Sequence, residues 1–295
     1  MADVARFPGQ AAGLARCAAP RRVKVIAVTG GKGGVGKTCV ATNLGVALAA
    51  RGLEVMLLDA DLGLANADVL LGLAPRRTLA HVLAGECALA DVVVAGPRGL
   101  RLVPAASGVA RMADLGNAEH AGIVHAFSEL AGRLDVLLID TAAGLSRSVT
   151  TFAAAAHHVL VVACDEPASI TDAYALIKVL SRDHGVRRFE LLANQVASEA
   201  EGRALYQQIH RVCDRFLDVT LDFAGAVPRD ESLRLAVRRQ QPVVEAFPGS
   251  PSSRALKNLA VRADKWTVPG EARGHLEFFV ERLVGDRPAA TGAMQ

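Results

Sequence analysis

A cluster of glycines and lysines follows an apolar run near the start of the sequence, in residues 23–38, VKVIAVTGGKGGVGKT. The apolar run is rich in β-branched residues, which favour a buried β-strand. From Thr38 onward apolar residues recur with a helical period, which predicts a helix to about Ala50. Because a phosphate-binding loop requires the order strand, glycine-rich loop, helix, the sequence predicts a nucleotide site here.

The residues of this loop fall into those that shape the backbone and those that contact phosphate. Glycines let backbone N–H groups approach anionic oxygens where a Cβ would collide, and the N-terminus of the following helix adds about half a positive charge. We expect Lys37 to contact the β- and γ-phosphates and the Thr38 hydroxyl to bind Mg²⁺. The predicted nucleotide-binding residues of the loop are Gly31, Lys32, Gly33, Gly34, Val35, Gly36, Lys37 and Thr38.

The chain of 295 residues shows no composition shift that would divide it into two large domains. Short apolar runs alternate with helical segments, which predicts an α/β P-loop NTPase with a doubly wound, mainly parallel sheet and helices on both faces. The expected strands are 23–29, 53–58, 100–103, 136–139, 159–164, 189–193 and 223–227. We expect a flexible segment with a short partner-binding helix over 1–22, the ATPase domain over 23–266, a linker and amphipathic helix over 267–285, and a disordered tail over 286–295.

Composition argues against several classes of protein. A formal charge of +3 is too small to indicate nucleic-acid binding by itself, and we interpret the basic cluster Arg229, Arg234, Arg238 and Arg239 as a solvated helix face. Five dispersed cysteines fit a reducing compartment and argue against a zinc site, an iron–sulfur cluster or a disulfide framework. The small charge and this interpretation of the basic cluster make us expect no direct DNA binding. With no apolar run of about 18 residues and no signal-peptide pattern, we expect a cytoplasmic protein.

Carboxylates follow two of the predicted strands at their carboxyl ends, where doubly wound sheets bind ligands. Asp140 comes after four apolar residues, which is the Walker B arrangement of an aspartate that holds Mg²⁺, usually through water. Asp59 and Asp61 lie two residues apart, so their side chains share one side of an extended chain. Because no separate strong base appears among these residues, we expect slow hydrolysis that times a switch.

Four motifs resemble the MinD/ParA family of ATPases, whose Walker A loop carries an additional lysine. They are KGGVGKT at 32–38, DADLGLANADVLLGL at 59–73, LLIDTAAGL at 137–145 and CDEPASITDAYALIKVL at 164–180. The second and fourth look most like the flagellar-number regulators of the FlhG/FleN group. The resemblance covers about residues 22–262.

This resemblance implies roles for individual residues. Lys32 would reach the phosphates of the partner subunit's nucleotide, so that ATP joins two protomers. Asp61 would orient the attacking water, with Asp59 supporting the metal site nearby; for Asp59 a purely structural role is an equal alternative. Four residues that leave later strands would contact adenine, namely Asn194, Pro228, Arg229 and Asp230, although an asparagine turn and a proline that ends a strand would give the same pattern.

The resemblance also implies a regulatory function. Such proteins form homodimers on ATP and regulate flagellar number, placement or gene expression. Their partners include the SRP-type GTPase FlhF, a flagellar master transcription activator and switch-complex proteins. A MinD-like regulator of the cell-division site, and an anti-activator whose hydrolysis is incidental, are the alternatives. The stretch around Gln10, Ala11 and Leu14 is similar to a GTPase-stimulating helix of the family, but Gly9 stands where an acid is expected.

Near the end of the sequence, HLEFFVERLV places Leu276, Phe279, Val280 and Leu283 on one helical face. The family's parallel is a membrane-targeting helix, which implies reversible contact with the inner face of the cell membrane. Glu277 and Glu281 weaken this interpretation, because anionic lipid repels them. Packing of the helix on the protein's own surface is the alternative.

Overall fold

The structure, a computed structural model, describes residues 23–61, 66–104 and 134–268. The predicted N-terminal helix, the amphipathic C-terminal helix and the tail lie outside these ranges. Within them the strands are β1 (Lys24–Thr29), β2 (Val55–Ala60), β3 (Val94–Ala95), β4 (Arg101–Val103), β5 (Val136–Thr141), β6 (His158–Ala163), β7 (Arg188–Val196) and β8 (Thr220–Pro228). The α-helices are α1 (Lys37–Ala49), α2 (Ala67–Leu70), α3 (Leu79–Leu83), α4 (Arg147–Ala155), α5 (Pro167–His184), α6 (Glu199–Phe216), α7 (Glu231–Arg238), α8 (Val243–Ala246) and α9 (Pro251–Lys265).

The described strands form one sheet in the order β3-β4-β2-β5-β1-β6-β7-β8. Every neighbouring pair is parallel except β3 and β4, which are antiparallel. The strand β1 lies between β5 and β6, so the loop after β1 opens near the centre of the sheet. The predicted doubly wound, mainly parallel sheet is therefore confirmed, and the carboxyl ends of its parallel strands share one edge.

Helices cover both faces of this sheet. Ile26 and Val28 of β1 belong to the cluster that includes apolar residues of α1, α7 and α9. Ala27, the residue between them, belongs to a cluster on the opposite face with residues of α4, α5 and α6. Because alternate side chains of β1 pack into apolar layers on opposite faces of the sheet, the strand is buried along its whole length. This explains why the strand sequences are continuous apolar runs without polar alternation.

Several boundaries differ from the sequence prediction, and β5, β7 and β8 extend beyond their expected ranges. Strand β2 ends two residues later than expected, so that Asp59 lies within it. The strand β3 was not predicted, because two residues at an antiparallel edge are too short for a periodic signal. The sequence predicts a helix from about Arg254 to Trp266 after a helix-breaking stretch at 246–253, whereas α9 begins at Pro251. The Ser250 side chain caps α9 by accepting a hydrogen bond from the Ser253 N–H, and proline is well tolerated in a first helical turn.

None of the described helices is both long enough and apolar enough to cross a membrane.

Candidate functional site

The phosphate-binding loop connects β1 to α1 and needs glycine at particular positions. Gly36 has a φ of 90° at the N-cap of α1, and a Cβ there would lie 2.5 Å from the Asn194 Nδ2 atom. A Cβ on Gly31 would lie 2.2 Å from the backbone oxygen of Asp172. Around Gly33, by contrast, a Cβ would meet no described atom within 4 Å. Packing within the chain therefore accounts for glycine at 31 and 36 but not at 33, which faces open space.

Lys37 is the first residue of α1, and its side chain turns back toward the loop. The ammonium donates a hydrogen bond to the backbone oxygen of Lys32 at 3.4 Å. Burial lowers the pKa of Lys37, whereas the nearby carboxylates of Asp140 and Asp61 raise it. Lys37 is therefore close enough to Asp140, the predicted metal ligand, and Asp61, the predicted catalytic acid, for their charges to raise its pKa.

Asp59 and Asp140 face each other in the register of β2 and β5. The two oxygens of Asp59 accept hydrogen bonds from the N–H groups of Asp61 at 3.0 Å and Ala67 at 3.3 Å, on either side of residues 62–65. Burial raises the pKa of Asp59 to about 6. Asp59 therefore holds the two ends of the loop that carries Asp61, which is the structural role that the sequence left open.

Asp140 is in a different position, because both of its carboxylate oxygens are buried without a hydrogen-bond partner in the described part of the chain. Burial raises the pKa of Asp140 to about 8; the neighbouring Asp59 adds to the rise, and the Lys37 ammonium opposes it. A buried, unpaired carboxylate is costly unless a ligand compensates it. Carboxylate and hydroxyl oxygens are ligands that Mg²⁺ prefers, so Asp140 and Thr38 fit a magnesium site.

Lys32 lies on the outer side of the same loop and forms an ion pair within its own chain. Its ammonium is 2.6 Å from the Oε2 atom of Glu166, which follows β6. The hydrogen bond and the attraction between them raise the pKa of Lys32 and lower that of Glu166. Both side chains are accessible to solvent, so this pair can exchange for another partner.

The predicted adenine contacts surround a cavity of about 670 Å³ at the ends of β7 and β8. Asn194 is buried and donates its amide to the backbone oxygen of Val35 at 2.7 Å, so this part of its side chain anchors the loop. Pro228, Arg229 and Asp230 line the cavity.

Asp230 is also the N-cap of α7 and contacts α9. Its Oδ1 accepts from the Ser232 N–H, and its Oδ2 accepts from both the N–H and the hydroxyl of Ser252. Burial alone would raise the pKa of Asp230, but the hydrogen bonds from Ser252 and Ser232 outweigh it and lower the pKa to about 2. Its carboxylate is therefore engaged in joining α7 to α9, a role that the sequence did not indicate.

Two further residues at the site were not singled out from the sequence. Glu166 lies within the motif at 164–180, but its pairing with Lys32 joins positions 134 residues apart. Gln195 follows Asn194 and donates its side-chain amide to the backbone oxygen of Gly34 at 3.1 Å. Neither contact could be predicted from a local sequence pattern.

The sequence over residues 26–243 matches the family described as the CobQ/CobB/MinD/ParA nucleotide binding domain. The chain belongs to the MinD/ParA family. One relative is the antiactivator FleN of Pseudomonas aeruginosa, with 59% identity over 92% of this chain and 97% of the relative. Another is the flagellum site-determining protein YlxH of Helicobacter pylori, with 33% identity over 80% of each chain.

Solved structures of MinD/ParA proteins share the fold. The septum site-determining protein MinD of Pyrococcus horikoshii, solved in complex with Mg-ADP, has a TM-score of 0.66 and 27% identity over 82% of this chain and 96% of its own. The family resemblance inferred from the four motifs is thereby confirmed, and the chain resembles flagellar members at higher identity than this cell-division structure.

Proposed function

We propose that this chain is an ATP-dependent, dimerising switch ATPase that regulates flagellar number, flagellar placement or flagellar gene expression. The nucleotide part rests on the buried carboxylate of Asp140, which has no hydrogen-bond partner in the described ranges. This carboxylate lies near Lys37, the lysine at the end of the glycine-rich loop. The flagellar part rests on the 59% identity to an antiactivator over most of both chains. The ligands are ATP or ADP with Mg²⁺, as in the magnesium–ADP complex of MinD.

The predicted site residues have different roles in phosphoryl transfer. Loop N–H groups and Lys37 bind and orient the phosphates, and Asp61 orients the attacking water. Asp140 and Thr38 would hold Mg²⁺, which would neutralise charge on the phosphates. Asp59 is committed to backbone N–H groups, and the predicted site residues that the structure describes include no separate strong base, so we expect slow hydrolysis.

Dimerisation would use Lys32. In the single chain the Lys32 ammonium forms an ion pair with Glu166, so its charge is already neutralised before a second copy binds. A triphosphate on a second copy offers more negative charge than one carboxylate, and Lys32 would exchange Glu166 for it. ATP then joins two protomers, and hydrolysis releases them.

The experiment that tests this switch is the substitution Asp61→Ala. With ATP bound but water no longer oriented, we expect dimers to accumulate and turnover to fall by about 10²-fold or more. Multi-angle light scattering with ATP and with ADP measures the dimer, and phosphate release measures turnover. Asp214→Ala, on the exposed surface near the end of α6, is the matched control and should behave as wild type. An Asp61→Ala protein that stays monomeric with ATP would contradict the mechanism.

Partners follow from the flagellar relatives. An antiactivator opposes an activator, so a flagellar master transcription activator is a proposed partner. The SRP-type GTPase FlhF and switch-complex proteins are further proposed partners, supported by the group resemblance. The name of the Helicobacter relative supports a role in flagellar placement as well.

We also propose a cytoplasmic protein with reversible membrane contact through residues 275–284, which lie outside the described ranges. The apolar face supports it, and two copies in an ATP dimer would gain about 10²–10⁴ in avidity. Sedimentation with vesicles of phosphatidylethanolamine and phosphatidylglycerol should pellet the wild type with ATP, Phe279→Asp much less, and Glu277→Lys more. If all three proteins pellet equally, membrane contact does not use this face.

A further inference from the structure

Gln195 has a backbone conformation that side chains rarely adopt. Its φ is 57°, and in the described residues only Arg98 and Gln240 share a positive φ among non-glycine residues. This left-handed region is unfavourable for L-residues and is retained where surrounding contacts hold it. Of the three residues, Gln195 is the one that contacts the phosphate-binding loop. The position of the strain at the site points to a role in nucleotide binding.

The conformation follows from an irregularity in the sheet. Asn194 pairs with Val227 and Val196 pairs with Pro228, so Gln195 is an extra residue in β7 with no opposite residue on β8. A bulge of this kind redirects a side chain away from the regular alternation. Here the side chain reaches the loop, and its amide donates to Gly34 while that of Asn194 donates to Val35. Two successive amides therefore hold two successive carbonyls of the loop.

The backbone of Gln195 is connected to the base cavity. Its carbonyl oxygen accepts a hydrogen bond from the Nε atom of Arg229 at 2.7 Å. The Arg229 N–H donates to the neighbouring Val196 oxygen at 2.9 Å, which fixes the arginine backbone to the same bulge. Arg229 lines the cavity of about 670 Å³ beside the loop. One residue thus contacts a cavity wall through its carbonyl and the phosphate loop through its amide.

We propose that Gln195 is a positioning residue that couples occupancy of the base cavity to the conformation of the phosphate-binding loop. A base seated against Arg229 restrains the bulge, and the restrained bulge fixes the Gly34 carbonyl and the N–H groups next to it. The inference rests on the proposed nucleotide site and adds to it a contact that makes base and phosphate binding cooperative. Cooperativity of this kind is a coupling free energy between two parts of one ligand.

The test compares two ligands that differ only in the nucleoside, and it avoids dimerisation by using diphosphates. Isothermal titration calorimetry measures the affinities of the full chain for ADP and for pyrophosphate, each with Mg²⁺. In Gln195→Gly the amide is lost while the left-handed backbone is relaxed, so the variant should fold. We expect the preference for ADP over pyrophosphate to fall about threefold to tenfold, the range expected for one net hydrogen bond. Gln195→Asn, whose amide is one methylene too short, should show the same fall.

Gln240→Gly is the matched control, because it relieves the same type of strain at a residue that does not line the cavity. Its preference for ADP should equal that of the wild type. If both ligands weaken by the same factor in Gln195→Gly, or neither weakens, the coupling is refuted and the nucleotide site stands. If the wild type binds neither ligand, the coupling and the proposed nucleotide switch both fail.

Discussion

Replacing Lys37 by alanine is expected to weaken ATP binding at least about 100-fold and to abolish the ATP-dependent dimer. The ammonium is buried against the loop, where water competes little, and it would contact two phosphates. A hydrogen bond to a charged group contributes about 1.5–3 kcal/mol, so two such contacts account for a loss of this size. Titration calorimetry with ATP and Mg²⁺ measures the affinity, and light scattering measures the dimer.

The matched control is Lys178→Ala, which removes an exposed lysine of α5 and should leave both measurements unchanged. Circular dichroism checks that the fold is retained. A Lys37→Ala protein that binds ATP as well as the wild type would refute the assignment of the phosphate loop. If the variant loses ATP binding but still restrains flagellar number in cells, the chain acts as a binding module and hydrolysis is incidental.

Most of the fold follows from local sequence patterns. Apolar runs buried on both faces predict the long parallel strands, and the glycine loop after β1 predicts where the ligand lies. The strand β3 and the start of α9 were not predicted correctly. The first is too short to show a period, and the second depends on a serine cap within a segment whose composition indicates a break.

The candidate site was predicted less completely, because its side chains form hydrogen bonds with residues of the same chain that are distant in sequence. The sequence places Asp59 near the metal, but its oxygens are occupied by backbone N–H groups that only the folded loop provides. Asn194 anchors Val35, and Asp230 accepts hydrogen bonds from Ser252 of α9, 22 residues away. In each case the sequence indicates the residue type and its position at the end of a strand. It does not indicate which group the side chain hydrogen-bonds to, because that depends on tertiary contacts.

Replacing Asp140 by asparagine is expected to stabilise the ligand-free protein. The pKa of Asp140 rises from 3.8 to about 8 in the folded chain, chiefly through burial. Between these values the folded state binds a proton that the unfolded state does not, so stability decreases as pH rises from about 4 to 8. An amide carries no charge and escapes this loss. We therefore expect a gain of about 2–5 kcal/mol at pH 8 and a smaller gain at pH 5.

Thermal unfolding at both pH values, with and without ADP and Mg²⁺, measures this effect. Each kcal/mol should raise the midpoint by about 2–4 °C. Asp214→Asn, on the exposed surface of α6, should change neither the midpoint nor its pH dependence. Asp140→Asn should also lose the additional stabilisation by magnesium, because the carboxylate that fits the metal is gone. An Asp140→Asn protein less stable than wild type at pH 8 would mean that the charge is already compensated within the chain, and the reason for assigning the metal to Asp140 would disappear.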